Sequence, residues 1–316
     1  MRHIASLSEE SRARAAGAAR PGAGAAVAPP YALMVPSVVL LAVVVWLPML
    51  CALYISTTAL NQYTITNWLH APFVALRNYV DGLNPRGPLT GSLLNSIRVS
   101  LAFAVLTTVC ITPIAVGGAV LFNGRVWGRG VLRAIMLLPY VIPTFVNAIL
   151  WRLVFMSDWG VADRLLSALR LAGPNTFWLI GPNAFWAMIV ADVWAAWPFV
   201  YLMSLAALQT IPEELYDAAR IDGAGGARAF RHVTLPLIRP TLNLALVLST
   251  INHFNNFSLP FVMFGASPPD SVNVLPLNIY VSSFITFNFG LGAAMSMIAL
   301  VIILTPAVFY LRAARV

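Results

Sequence analysis

At 316 residues, 59% of them hydrophobic and only 9% charged, the chain is too apolar for a water-soluble globular domain, in which about a quarter of residues carry charge. Its formal charge of +8 rests on 19 Arg and no Lys, so the phosphate-gripping lysine of a P-loop is missing and the chain is no Walker-type ATPase. The Arg residues stand at the ends of apolar runs, as anchors facing anionic lipid do, which makes membrane lipid a partner and excludes nucleic acid.

Residues 1–30 are rich in Ala, Gly and Pro, carry Arg2, Arg12, Arg14 and Arg20, and have too few apolar side chains for a core, so a flexible cytoplasmic tail is expected. No formal charge occurs between Arg20 and Arg77. Within that interval 31–56 is long enough to cross roughly 30 Å of hydrocarbon, and no small-residue cleavage site follows it. It reads as an uncleaved first span. The same criterion gives five more, at 98–121, 132–156, 184–208, 241–264 and 290–311. The fold class predicted is an all-α polytopic membrane protein with six transmembrane helices over 31–316. With the N-terminus inside, the inner segments hold Arg125, Arg129, Arg133, Arg220, Arg228, Arg231, Arg239, Arg312, Arg315 and the four of the tail. The outer segments and span ends hold Arg77, Arg86, Arg98, Arg152, Arg164 and Arg170. That asymmetry follows the positive-inside rule and puts both termini in the cytoplasm. Cys51 and Cys110 lie in apolar runs and suggest no disulfide framework, and no metal-ligand cluster is apparent.

The outer connections, 57–97, 157–183 and 265–289, contain Trp68, Trp159 and Trp178 among many Asn, Pro and Gly and read as ordered caps. Prolines recur inside spans, at Pro36, Pro48, Pro113, Pro139, Pro143, Pro198, Pro260 and Pro306; each frees a carbonyl that a neighbour or a water-lined cavity must satisfy. Asp192 sits inside the fourth span, where a lone carboxylate is costly; pairing with Arg152 or Arg133 is expected, and a role in ion coupling is the alternative.

Between the fourth and fifth spans, 210–240 is the longest stretch dense in charge. Thr210-Ile-Pro-Glu213 predicts a capping box, Arg220 in the last turn suits the macrodipole, and Gly223 is free to take φ > 0, so a helix of about three turns fits. Gly225-Gly226 then predicts a break before a second short helix, ended by Pro236 and Pro240. Ala218, Ala219, Gly223 and Ala224 leave a surface on which another backbone can approach closely.

In the fifth span Asn252, His253, Asn255, Asn256 and Ser258 crowd into barely two turns. Asn252, Asn255 and Asn256 fall at i, i+3, i+4 and share one face if the helix is continuous. Amides that both donate and accept suit hydroxyl-rich ligands, and Tyr140 and Trp197 offer flat faces to a sugar ring. The competing reading is that the cluster bonds helices to one another. His253 reads as a hydrogen-bonded packing residue.

The spacing Asp217-Ala-Ala-x-x-Asp222-Gly223-Ala224, followed by Phe230, Val233 and Leu235-Pro236, resembles the cytoplasmic EAA loop of permease subunits of binding-protein-dependent ABC importers, with Asp217 where that family has Glu. Leu137-Leu-Pro139-Tyr140-Val-Ile-Pro143 running to Trp151-Arg152 and Phe155, and Asp192-Val-Trp194 through Trp197-Pro198-Phe199, resemble helices of maltose-type sugar permeases. Phe73-Val-Ala-Leu-Arg-Asn78-Tyr79 is similar to a stretch common in carbohydrate permeases. The likeness covers roughly 31–312 and implies the type I importer permease (MetI-like) fold in a bacterial cytoplasmic membrane. It also implies import of a sugar, oligosaccharide, polyol or amino sugar. The implied partners are a second homologous permease, two ATPase subunits or a homodimer of one, and an extracytoplasmic solute-binding protein. ATP and Mg are then bound by the ATPase, with no cofactor, metal or catalytic residue in this chain. The implied coupling residues are Glu214, Asp217, Ala218, Ala219, Asp222, Gly223 and Ala224. The substrate-path expectation is Asn252, Asn255, Asn256, Ser258, Tyr140 and Trp197. A proton- or sodium-driven carrier is the alternative, resting on Asp192 and the proline-broken spans; the inverted repeats that favour such a carrier are not evident. An intramembrane enzyme lacks a motif.

Overall fold

The computed structural model describes residues 34–84, 90–124, 127–157, 160–170 and 176–313. The expected tail at 1–30, the start of the first span at Tyr31, and Arg86, Arg125, Trp159 and Arg315 lie outside them. The described residues are mostly helical, with Thr58 and Phe73 forming a lone β-bridge. Among the described residues five helices are long and apolar enough to cross a membrane, or six if one bent pair counts as a single span.

The chain divides into two compact units at Cys51/Ala52. The first helix, α1, runs Val35–Ser56. None of its residues before Ser56 is buried, as expected of a helix whose surroundings are hydrocarbon. Where it ends, Asn78 Nδ2 donates to Ser56 O and Thr58 O, both at 2.8 Å, and the Tyr79 hydroxyl lies 2.7 Å from Ser56 Oγ. Asn78 of the 73–79 stretch thus satisfies carbonyls left bare where the helix ends, and Tyr79 binds the Ser56 hydroxyl beside them. Both residues belong to α2 (Arg77–Leu83).

The helices that follow are α3 (Thr90–Asn123), α4 (Arg129–Val141), α5 (Thr144–Val154), α6 (Val161–Ala168) and α7 (Asn183–Leu208). After them come α8 (Glu213–Ile221), α9 (Gly226–Ala229), α10 (Leu235–Phe254), α11 (Ser258–Phe264), α12 (Leu275–Tyr280) and α13 (Phe289–Ala313). The centre of the bundle is α3, α7 and α10, each packed on the other two. Small side chains bring them close: Ala115 and Ala119 of α3, Ala207 of α7 and Ala245 of α10 are buried, as membrane helix interfaces require. Hydrogen bonds add to this, with Thr108 Oγ1 3.0 Å from Thr250 Oγ1 across α3 and α10, and Asn278 Nδ2 donating to Ser96 Oγ at 3.0 Å across α12 and α3. One apolar cluster, around Phe103, Met188 and Leu259, occupies one part of the bundle; a second, around Ile111, Tyr201 and Ile238, occupies another. The middle of α7 passes between them.

Three expectations change. The span at 132–156 is not one helix: α4 and α5 meet at 90°. Pro143 forces the preceding Ile142 into extended backbone, φ −71° and ψ 125°, and the helix stops there. The helix in the second half of the loop does not end at Pro236 and Pro240 but runs on into the fifth span. A π turn at Phe230–Thr234 precedes Pro236, and another at Ala42–Trp46 precedes Pro48. In both places the wider turn accommodates the backbone ahead of a residue that has no N–H to give. The fifth span in turn breaks at residues 255–257, between α10 and α11. Pro260 cannot bond back to the carbonyl four residues earlier, that of Asn256, which favours the break. Most of the other span prolines, among them Pro113, Pro198 and Pro306, sit inside continuous helices.

Candidate functional site

Both breaks in the spans open on the same cavity, of about 350 Å³. From the first break come Pro139, Tyr140, Ile142 and Thr144; from the second, Asn255, Asn256, Phe257 and Ser258. Irregular backbone at membrane depth is tolerated where it lines such a space, because water or ligand there can meet the freed polar groups. The remaining walls follow helical periodicity. Asp192, Ala195, Ala196 and Phe199 lie at i, i+3, i+4 and i+7 on α7, and Ser249, Asn252, His253 and Asn256 repeat that spacing on α10 and beyond its end.

Asp192 is buried, its side chain 8% exposed, and its partners differ from those expected. Its Oδ2 lies 2.6 Å from His253 Nδ1, and its Oδ1 accepts from Asn256 Nδ2 at 3.0 Å. On the far side of the ring, His253 Nε2 is 3.0 Å from Ser249 Oγ. The expected pairing with Arg152 or Arg133 is overturned. Arg133 donates to Phe122 O at 2.6 Å and Arg152 to Val262 O at 3.2 Å, each filling a carbonyl that its own surroundings left open. His253 is a bonded packing residue, 4% exposed and edge-on to Phe103.

The asparagines divide. Asn256 is committed twice, donating to Asp192 and accepting from Leu259 N–H at 3.2 Å, so it ties α7 to α11 and satisfies a first-turn donor of α11. Asn255 Nδ2 donates to Ile251 O at 3.1 Å. Asn252 is exposed on the cavity wall, and its amide makes no hydrogen bond among the described residues. Ser258 and Tyr140 also face the cavity. Trp197 does not: it packs edge-on to Tyr201, with ring centroids 5.6 Å apart, inside the second apolar cluster. Five residues past Asp192 is about 140° round the helix, the wrong face. The aromatic wall is instead Tyr140 with Phe199, stacked at 25° with centroids 6.3 Å apart. The signal for Phe199 was its i+7 relation to Asp192.

The loop is built differently. The capping box is absent: Thr210 Oγ1 donates to Ala207 O at 2.8 Å, closing α7, and α8 starts after an extended Pro212. The end of α8 is as expected in kind, with Gly223 at φ 75°. Ala224 N–H donates to Ala219 O at 2.8 Å and Gly223 N–H to Arg220 O at 3.0 Å, the paired bonds of a Schellman cap. No residue of α8 is buried. Glu214, Asp217, Ala218, Asp222 and Gly223 are exposed and Ala219 and Ala224 half-buried, while Ile221 stands 88% exposed. Asp217 Oδ1 lies 3.0 Å from Arg220 Nη1 on the same helix. The Tyr216 hydroxyl, 3.0 Å from Thr234 Oγ1, joins α8 to the helix that becomes the fifth span.

Residues 111–315 match the family described as binding-protein-dependent transport system inner membrane component. The chain is 35% identical over 289 residues to the trehalose/maltose transport system permease protein MalF of Thermococcus litoralis, covering 90% of this chain and 93% of that one. It is 30% identical over 287 residues to the sn-glycerol-3-phosphate transport system permease protein UgpA of Agrobacterium fabrum, with 90% and 93% covered. Among solved structures, a chain of a bacterial alginate ABC transporter superposes with a TM-score of 0.73 at 20% identity, over 89% of this chain and 91% of that chain.

Proposed function

Because the chain belongs to the binding-protein-dependent transport system inner membrane component family, we propose that the cavity between its broken spans is part of the path of a carbohydrate imported at the expense of ATP. The chain is a multi-pass permease subunit of the inner membrane. The observation that carries the reading is the convergence of both span breaks, Asn252, Asn255, Ser258 and the Tyr140–Phe199 wall on one polar cavity. Its size lies in the range of small-ligand sites. The names of similar permeases, which include trehalose/maltose and sulfoquinovosyl glycerol transport, support a carbohydrate.

In this reading the open side of the cavity is closed by a second homologous permease. An external solute-binding protein delivers the sugar, and two ATPase subunits, or a homodimer of one, bind ATP and Mg. The exposed face of α8, with Glu214, Asp217, Ala218, Asp222 and Gly223, seats in an ATPase cleft, and both termini lie in the cytoplasm. ATPase closure moves 212–236 as a rigid piece. The motion reaches α7 directly at the head of the loop, and α10 through the continuous helix and the Tyr216–Thr234 contact. Sugar hydroxyls then exchange hydrogen bonds with water for those with Asn252, Asn255 and Ser258, while the Tyr140–Phe199 wall covers a ring face.

The test is ATP-driven uptake by the importer reconstituted with its binding protein, across a panel of neutral mono- and disaccharides. Asn252→Leu should raise the apparent KM for the transported sugar about fivefold, the equivalent of one hydrogen bond of ~1 kcal/mol, with subunit assembly unchanged. An unchanged KM removes Asn252 from the path, and an absence of ATP-driven sugar uptake by the native complex removes the carbohydrate reading.

A further inference from the structure

Among the described residues the cavity wall has an acid and no fixed cation. Its ionisable groups are Asp192, His253 and the Tyr140 phenol. The chain has no Lys, and no Arg occurs between Arg170 and Arg220 or between Arg239 and Arg312, which covers all of α7, α11 and α12 and most of α10. The Arg residues of the neighbouring α4 and α5 that lie nearest the bend, Arg133 and Arg152, are spent on the Phe122 and Val262 carbonyls. Counting protons on the buried pair bounds its charge. An imidazole with one proton beside an ionised carboxylate leaves −1, and a second ring proton leaves 0. Only when the carboxyl and both ring nitrogens are all protonated does the pair become positive.

We infer that Asp192 is a specificity-determining residue of the path, making it admit uncharged carbohydrate and turn away phosphorylated or acidic carbohydrate. The inference rests on the carbohydrate-path reading above. Family membership does not choose between these cargoes, since similar permeases are named for trehalose/maltose and for sn-glycerol-3-phosphate. The wall does choose. An uncharged hydroxyl sits beside an ionised carboxylate without electrostatic penalty; a phosphate or uronate brings negative charge beside it, in a medium that screens it poorly and with no guanidinium lining the cavity among the described residues to offset it.

The local potential can be read without knowing the sugar. In the complete importer, held in nanodiscs with Cys51 and Cys110 replaced by Ser, Asn252→Cys places a thiol on the exposed wall. Its modification rates by methanethiosulfonates bearing trimethylammonium or sulfonate are compared with those of a free thiol in solution. The expected cation-to-anion rate ratio is about tenfold above that of the free thiol, as a nearby unit negative charge in a partly wet site produces. Asp192→Asn should bring it back toward the free-thiol value, and Asp192→Glu should keep it high. A ratio at or below that of the free thiol overturns the inference, as does a high ratio that Asp192→Asn leaves untouched. The ratio in the Asn252→Cys importer decides the sign of the potential even where an Asp192 variant fails to assemble. If sugar-loaded binding protein with ATP leaves the modification rate unchanged, the path reading itself fails and takes the inference with it. That outcome is distinguishable because the charge ratio is measured without sugar.

Discussion

The loop helix α8 and the cavity wall are both polar regions of an apolar chain, and they are held by opposite means. In α8 no side chain is buried, and the shape comes from the backbone, closed by the Schellman cap at Gly223. At the wall the backbone is broken twice, and the shape comes from side chains bonded across helices, Asp192 to His253 and Asn256. A surface facing water and a protein partner keeps its side chains free. A wall within hydrocarbon must satisfy its polar groups mutually, because each one left bare costs several kcal/mol, so only a few such as Asn252 remain for cargo.

The largest expected effect is at the backbone-held region. Gly223→Val puts a β-branched residue at φ 75° and should cut ATP-driven uptake at least tenfold while the amount in the membrane, read by immunoblot, stays the same. Gly223→Asn, which tolerates that conformation, should retain most uptake; equal loss in both would mean that the cap is not what matters. Next is the side-chain-held region. Asp192→Leu strands the Asn256 amide and the His253 ring, at about 1–3 kcal/mol each, and should lower the melting temperature of the purified importer by several degrees, with Asp192→Asn recovering most of the loss. Within the wall, Asn256→Leu should reduce assembly, measured as recovery of the intact complex, whereas Asn252→Leu should move KM alone. Two equal phenotypes would erase the division between them. Phe199→Ala should raise KM several-fold, and Trp197→Leu should leave KM unchanged and lower the melting temperature instead, because Trp197 packs in the core. The smallest effect belongs to Asp217→Asn. Its pair with Arg220 is exposed on both sides, and such pairs contribute about 0–1 kcal/mol, so thermal stability should not change measurably.

The spans were legible because a membrane helix needs length and apolarity more than any particular packing: 184–208 was expected and Asn183–Leu208 is found. The helix in the loop was legible from Gly223 and its charges, but its start was not. Thr210 serves the helix before it, and a Thr side chain can turn to a carbonyl behind as readily as to an N–H ahead. The breaks were only half legible. Proline marked candidates in every expected span, yet only those near the cavity interrupt a helix, since neighbours or π turns accommodate others. The Asn cluster was visible in composition, but not that Asn256 would be consumed by Asp192, a partner 64 positions away along the chain. Trp197 was expected on the path for its flat ring, but it lies on another face of α7 than the cavity wall; counting from Asp192 in steps of three and four leads to Phe199.

The unbroken run from Gly226 to Phe254 places Asn252 and the loop on one rod. At 1.5 Å per residue its 29 residues span roughly 43 Å. Pivoted near the loop, a tilt of about 10° carries the cavity end sideways by roughly 7 Å, more than one helical pitch. Such gearing makes a small displacement at an exposed helix sufficient to open or shut a passage of molecular width, and it places the π turn at Phe230–Thr234 at the driven end of the shaft, inside the piece that moves with the loop.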